Sequence, residues 1–194
     1  MDSDPRPGTP RPPPRERILS TAYTLFSRRG IRDVGVDEVV ARSGVAKATL
    51  YRHFPSKDDL VLAFLDRREQ EWTLGRVVAG ARRRGGTPEE RLLAIFDVFD
   101  EWFRGDDFDA CAFINILLEM GREHPLGQAG IAHLETIRHL VRGMAEEAGL
   151  RDAEGFARSW HILMKGSIIS AAEGDTEAAH RAQAMARALI ERHR

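Results

Sequence analysis

From Pro14 to the C-terminus, apolar residues recur every three or four positions, and no stretch alternates apolar with polar side chains as a half-buried strand does. That periodicity is the tightest constraint the chain carries, and it predicts an all-α protein of about nine helices. In "RERILSTAYTLFSRRG" one stripe holds Ile18, Ala22, Leu25 and Phe26, and Gly30 stops it. "VDEVVARSG" sets Val36, Val39, Val40 and Ser43 on one side, with Gly44 just past its end, where a left-handed residue commonly terminates a helix. Ser56 is a good N-cap for the next helix, and Asp58 and Asp59 suit the positive end of its dipole. In "TPEERLLAIFDVFDEWFRG" Thr87 and Glu90 have capping-box spacing and Pro88 falls at the first helical position. "ACAFINILLEMG", "PLGQAGIAHLETIRHLVRGMAEEAG" and two closing segments complete the set, with no internal repeat.

The 42% hydrophobic content of 194 residues suffices for a core and for one or two domains. Residues 1–14 are Pro-rich and are expected to be an extended, disordered tail. Formal net charge is -1, but it is unevenly spread: residues 1–60 carry eleven basic and eight acidic residues, the remainder eighteen and twenty-two. A mildly basic front on an acidic body suits a nucleic-acid-binding head. Cys111 is the single cysteine, so no intrachain disulfide can form, which fits a reducing cytoplasm. No apolar run approaches the ~20 residues of a membrane span, and the N-terminus lacks the apolar segment of a signal peptide. The expected location is therefore cytoplasmic, without a membrane partner.

The stretch "SGVAKATLYRHFPSKDDL" breaks the pattern of a buried helix. Wound as a helix from Ala46 to Phe54, it puts Ala46, Leu50 and Phe54 along one edge, able to pack inward. Lys47, Ala48, Tyr51 and Arg52 spread over the opposite side, flanked by Thr49 and His53. Small Ala48 near the centre lets the backbone approach a groove floor, while cations and hydrogen-bonding side chains around it meet phosphates and base edges. With the preceding helix and the tight turn at Gly44, this is a helix-turn-helix pattern. Lys57, a cation in a first helical turn, fits a phosphate bound at that N-terminus.

These residues, with "RERILSTAYTLFSRRG" before them, resemble the TetR family of bacterial transcriptional regulators over about residues 15–65. The resemblance implies an N-terminal three-helix DNA-binding domain (15–60), a larger ligand-binding and dimerisation domain (61–194), and a homodimer through the last two helices. By matching position it implies DNA contacts from Lys47, Ala48, Thr49, Tyr51, Arg52, His53 and Lys57, with Lys47 and Arg52 reading base edges and Tyr51 and His53 holding phosphates. Two positions depart from the family pattern: Gly35 stands where a hydroxyl residue is usual before the second helix, and Ala46 where Ser usually opens the third. Both remove a possible cap and phosphate contact. Arg6, Arg11, Arg15 and Arg17 could form a minor-groove arm or belong to a solvated tail.

The implied small-molecule pocket has candidates in Phe96, Phe99, Trp102, Phe103, Phe113, Asn115, Glu119, Trp160 and Met164, although an aromatic stripe at helical spacing also describes plain core. Asn115 and Glu119, four apart in an apolar segment, are the polar candidates. An apolar or aromatic effector of modest size is expected. His124, His133, His139 and His161, with Glu119 near, invite a metal reading, but His133 and His139 are six apart and share no helix face, so no metal site and no cofactor is expected; Glu135 and His139 could pair on the surface. No nucleophile elbow, phosphate loop or Cys–His pairing points to an enzyme. For dimerisation, Ala178, Ala182, Met185, Ala186, Leu189 and Ile190 form one stripe, and Gly166, Ser167, Ser170 and Ala171 allow close helix approach. The expectation is a ligand-released repressor on a palindromic double-stranded operator. Two alternatives stay open: a regulator of the same fold with a filled core and no effector, and a helical ligand carrier or enzyme that has lost DNA binding.

Overall fold

The computed structural model describes residues 11–194; Arg6 and most of the expected Pro-rich tail lie outside the described residues. Among the described residues all regular structure is helical, in nine continuous helices: α1 Pro14–Arg29, α2 Val36–Ser43, α3 Lys47–His53, α4 from Lys57 to Arg84, α5 Pro88–Phe103, α6 Ala112–Met120, α7 Pro125–Glu147, α8 Ala153–Ala172 and α9 Ala178–His193. None is long and apolar enough to cross a membrane. The chain divides into two compact units, one ending at Phe64 and one beginning at Leu65, so the boundary falls inside α4.

In the first unit, Pro14 occupies the opening turn of α1, where its missing N–H costs nothing. Gly30, at φ 79°, ends the helix. Ile18, Leu19, Ala22, Leu25 and Phe26 bury one face of α1. Gly44 terminates α2 at φ 61° and ψ 38°, a conformation that glycine adopts without the Cβ penalty. The Arg17 guanidinium donates to the carbonyls of both Ser43 and Gly44. It thereby satisfies backbone acceptors that the end of α2 leaves free and sets a cation on the negative end of that helix. Phe64 meets Tyr23 and Phe26 edge-on, at 5.4 and 5.6 Å between ring centres, so this core extends past position 60.

The second unit packs α6 on α7, α7 on α8, α8 on α9, and α5 against both α9 and the last turn of α4. Thr87 and Glu90 form the expected reciprocal capping box at the start of α5. Its core is aromatic at the centre: Phe96 meets Trp160 at 5.3 Å and Phe99 at 6.1 Å, and Phe99 meets Trp102 at 5.8 Å. Residues Glu69–Val78 of α4 are π-helical, with α-helix on either side. Periodicity in the sequence gave no sign of this widening. Gly75 lies within it, and a Cβ there would stand 3.0 Å from the Gln70 carbonyl oxygen, tighter than most side chains tolerate.

Candidate functional site

The helix-turn-helix surface is built on α3. Leu50 is fully buried and Phe54 nearly so, which fixes the inner edge of this seven-residue helix. Lys47, Ala48, Tyr51 and Arg52 are exposed, and Thr49 and His53 are half-buried beside them. Ala46 departs from the sequence reading. It is exposed, because it is the N-cap residue with extended backbone (φ -71°, ψ 145°) rather than the first residue of the helix, so helical spacing does not carry it inward. Neither Gly35 at the start of α2 nor Ala46 at the start of α3 supplies a side-chain cap. The Lys47 ammonium lies 2.7 Å from the Asp37 carboxylate. Its hydrogen bond to Asp37, followed by their charge attraction, holds its pKa above the usual lysine value. Lys57 donates from Nζ to the carbonyl oxygen of Ile31 at 2.6 Å. That contact gives the cation in the first turn of α4 a partner other than a phosphate. Ser56 caps the same turn by accepting from the Asp59 N–H at 3.1 Å, while the Asp59 carboxylate accepts from the Ser56 N–H and hydroxyl.

Of the arginines considered for an arm, Arg17 is engaged at the end of α2 and Arg15 lies over the Phe54 ring, 5.3 Å from its centre. Both side chains act within the helical head.

The second unit contains a narrow cavity of ≈ 680 Å³ of space unoccupied by atoms, its opening included. Within it, ≈ 50 Å³ is open to the centre of a water-sized sphere. Phe99, Trp102, Phe113 and Met164, singled out in the sequence, are on its wall. Phe96 and Trp160 are instead buried against each other outside its lining, with Phe156 on Trp160, and Phe103 packs on Phe99, Trp102 and Phe108. Asn115 is exposed and Glu119 half-buried, and neither reaches the wall, because α6 turns Ala112, Phe113 and Ile116 inward. The polar lining comes from residues that the sequence reading did not assign to the pocket: Arg68 and Thr73 on α4, Cys111 before α6, and His161 and Lys165 on α8. The buried Arg68 guanidinium lies 5.0 Å from the Trp72 ring centre and 5.7 Å from that of Trp102. His161 is buried with no partner for its Nδ1. Burial, then the nearby Lys165 and Arg138 charges, lower its pKa to about 3. Burial lowers the pKa of Lys165 as well, with Arg138 adding to the effect. Burial pushes the Cys111 thiol up, so it stays protonated. The signal was present: His161 and Lys165 are spaced four apart in an otherwise apolar stretch, one helix face repeated.

Among the described residues no three His, Cys, Asp or Glu side chains are grouped to hold a metal. His133 sits with Nδ1 2.6 Å from Glu69 Oε2 and stacks on Phe113 at 4.8 Å. His124 caps α7, its Nδ1 accepting from the Leu126 N–H. Glu135 pairs with Arg138 rather than with His139, which lies against Arg142.

The apolar stripe read on the last helix divides in two. Ala178, Ala182, Ala186 and Ile190 are buried inside the unit, with α9 packed on α5 and α8. Met185 faces outward, 59% exposed, as do Ile162 (68%) and Ile169 (44%) on α8. Leu163, Met185, Ala188 and Leu189 line a shallow groove there.

Residues 18–64 match the family described as "Bacterial regulatory proteins, tetR family". The chain is 36% identical over 156 residues to the uncharacterized HTH-type transcriptional regulator Rv1255c of Mycobacterium tuberculosis, covering 79% of this chain and 73% of that one. It is 36% identical over 97 residues to the HTH-type transcriptional activator FasR of Mycolicibacterium smegmatis. That match covers 50% of this chain and 43% of the relative, less than half of its length. Among solved structures, the TetR-family transcriptional regulator SCO4454 of Streptomyces coelicolor aligns with a TM-score of 0.83 at 28% identity, over 93% of this chain and 89% of that one.

Proposed function

The chain belongs to the TetR family of DNA-binding transcriptional regulators, and from that premise we propose that it works as a homodimeric repressor of a palindromic operator, released when a small apolar molecule enters the cavity. Lys47, Ala48, Thr49, Tyr51, Arg52 and His53 form the DNA-facing surface of α3 in this reading, and Arg52 reads a base edge. Lys57 holds the turn before α2 through the Ile31 carbonyl and contributes its charge to the phosphate field. Asp37 competes with DNA for Lys47, so the ion pair opens when the operator binds.

The observation that supports effector control is the course of α4. It starts in the head at Lys57 and, in its later turns, supplies Arg68, Trp72, Thr73, Val77 and Val78 to the cavity wall. A ligand that binds one position of this helix better than another shifts the population of DNA-binding-competent dimers by that difference in affinity, and by no more. The dimer reading rests on Ile162, Ile169 and Met185, which put exposed apolar surface on the last two helices. A two-fold pair of short reading helices matches a palindrome with half-sites about 34–36 Å apart or a multiple of that.

Selection of purified protein against random duplex DNA tests the reading. Recovery of one palindrome is the expected result; a folded dimer that enriches no sequence rejects it. A reporter driven from the recovered site separates repression from activation, which matters because a relative carries the name of an activator.

A further inference from the structure

We propose that the cavity accepts an apolar molecule ending in a single carboxylate, with that carboxylate held between Lys165 and His161. The inference rests on the effector reading above and narrows its chemical class. Three observations lead to it. His161 and Lys165 lie one helical turn apart on α8, and both line the cavity. Nδ1 of His161 is buried without a hydrogen-bond partner. A buried polar atom left unpaired is costly, so a group that supplies the missing bond gains more than one meeting an already satisfied wall. Finally, no Asp or Glu side chain lines the cavity, while a lysine does.

Electrostatics then decides the sign of the ligand's charge. Lys165 makes no ion pair or hydrogen bond among the described residues, and burial followed by the Arg138 charge lowers its pKa. An incoming anion relieves both its burial and that repulsion. The Lys165 ammonium compensates one negative charge, which suits a carboxylate; the cavity's other cation, Arg68, lies over the Trp72 and Trp102 rings. The His161 imidazole is neutral at ordinary pH. It therefore contributes no second charge; its Nδ1–H tautomer donates one hydrogen bond to a carboxylate oxygen. The rest of the wall takes the apolar body: Trp72 and Trp102 offer ring faces, their centres 4.3 Å apart, and Phe99, Met144 and Ile168 add apolar surface. The Arg68 guanidinium over those rings adds positive potential.

The experiment compares each acid with its own neutral alcohol: decanoate with decanol, and 2-naphthoate with 2-naphthalenemethanol. Binding to the full chain at pH 7 is read by tryptophan fluorescence and calorimetry, alongside release of the selected operator duplex. The expected result is that at least one acid binds about tenfold or more tighter than its alcohol, the size of one charge-assisted hydrogen bond. Lys165→Met should remove that preference while leaving alcohol binding unchanged, and Lys165→Arg should retain it. Equal binding of acid and alcohol, an acid preference that survives Lys165→Met, or no binding of any of the four overturns the proposal. If Lys165→Met does not fold, the acid–alcohol comparison on the unaltered protein decides alone. Acid-selective binding without operator release keeps the carboxylate site and removes the effector role. Operator release by the neutral alcohols, with no preference for the acid, keeps effector control and removes the carboxylate site.

Discussion

The two units of this protein bury different things. The head, up to Phe64, hides apolar side chains, and Ser43 is its single buried polar residue among those described. The Ser43 hydroxyl is satisfied by the Val40 carbonyl at 3.2 Å. The body buries Arg68, Thr73, His161 and Ser167, and leaves the Trp160 indole N–H and His161 Nδ1 without partners. A head that presents a rigid reading surface gains from an almost wholly apolar core, in which the Ser27 hydroxyl oxygen is buried without a partner. A body that must answer a ligand gains from hydrogen-bonding capacity kept in reserve inside a dry cavity. Unsatisfied polar atoms are therefore informative according to where they fall.

Leu50 has no exposed surface and anchors α3 to the head. Leu50→Ala should cost about 2–5 kcal/mol through lost burial and an unfilled cavity. Circular dichroism should show a low-temperature transition for the head and loss of operator binding, with most of the helical signal persisting from the body. One unshifted transition would contradict a separately packed head. Next in size, Arg52→Ala should lose about 1–3 kcal/mol of operator affinity and relax preference at one base position. Equal loss on all duplexes would reduce Arg52 to a phosphate contact.

Acid should act on the body through His161. Its pKa is about 3 in the folded state, below the usual imidazole value near 6.5, because of burial first and the Lys165 and Arg138 charges second. The unfolded chain therefore binds the proton more readily. This contribution is fully present above about pH 6.5 and is lost as pH falls from there towards 3, about 2 kcal/mol of it between pH 7 and pH 5. Thermal unfolding at the two pH values should show a smaller drop for His161→Leu than for the unaltered chain. The smallest effect belongs to the head. Gly35 has open space around the position of a Cβ and an ordinary φ of -82°, so Gly35→Ser should add a cap to α2 worth a few tenths to about 1 kcal/mol, read as a small rise in head melting temperature.

The head was legible because its signals are local. Gly30 and Gly44 stop helices, Leu50 and Phe54 alternate with exposed cations, and Ser56 caps α4, all within a few residues of one another. The cavity was half legible. Helical spacing identified Phe99 and Trp102 as inward-facing, but their stripe also holds Phe96, and which members touch empty space depends on where α4 and α8 cross it. Asn115 drew attention as a polar residue in an apolar segment, yet it sits on the outer side of α6. His161, weighed only as a metal ligand, and Lys165 were not read as cavity residues, because the small residues after them invited a reading as contact surface. On the last helix, four apolar positions face the unit's own core and Met185 faces out, a division that one broad stripe does not reveal.

The π-helical segment Glu69–Val78 has a consequence for how α4 tolerates changes in length. In an ordinary helix each residue advances the chain by 100°, so deleting one swings every later side chain off its face. A π segment fits more residues into each turn than the α-helix around it. It is a store of slack. Losing one residue between Glu69 and Val78 can be absorbed by tightening part of the ladder from i→i+5 to i→i+4, with the helix on either side keeping its face. The same deletion in α5 would carry Phe99 and Trp102 away from the cavity wall. Within one connecting helix, the protein thus has a stretch where length is negotiable between stretches where it is not.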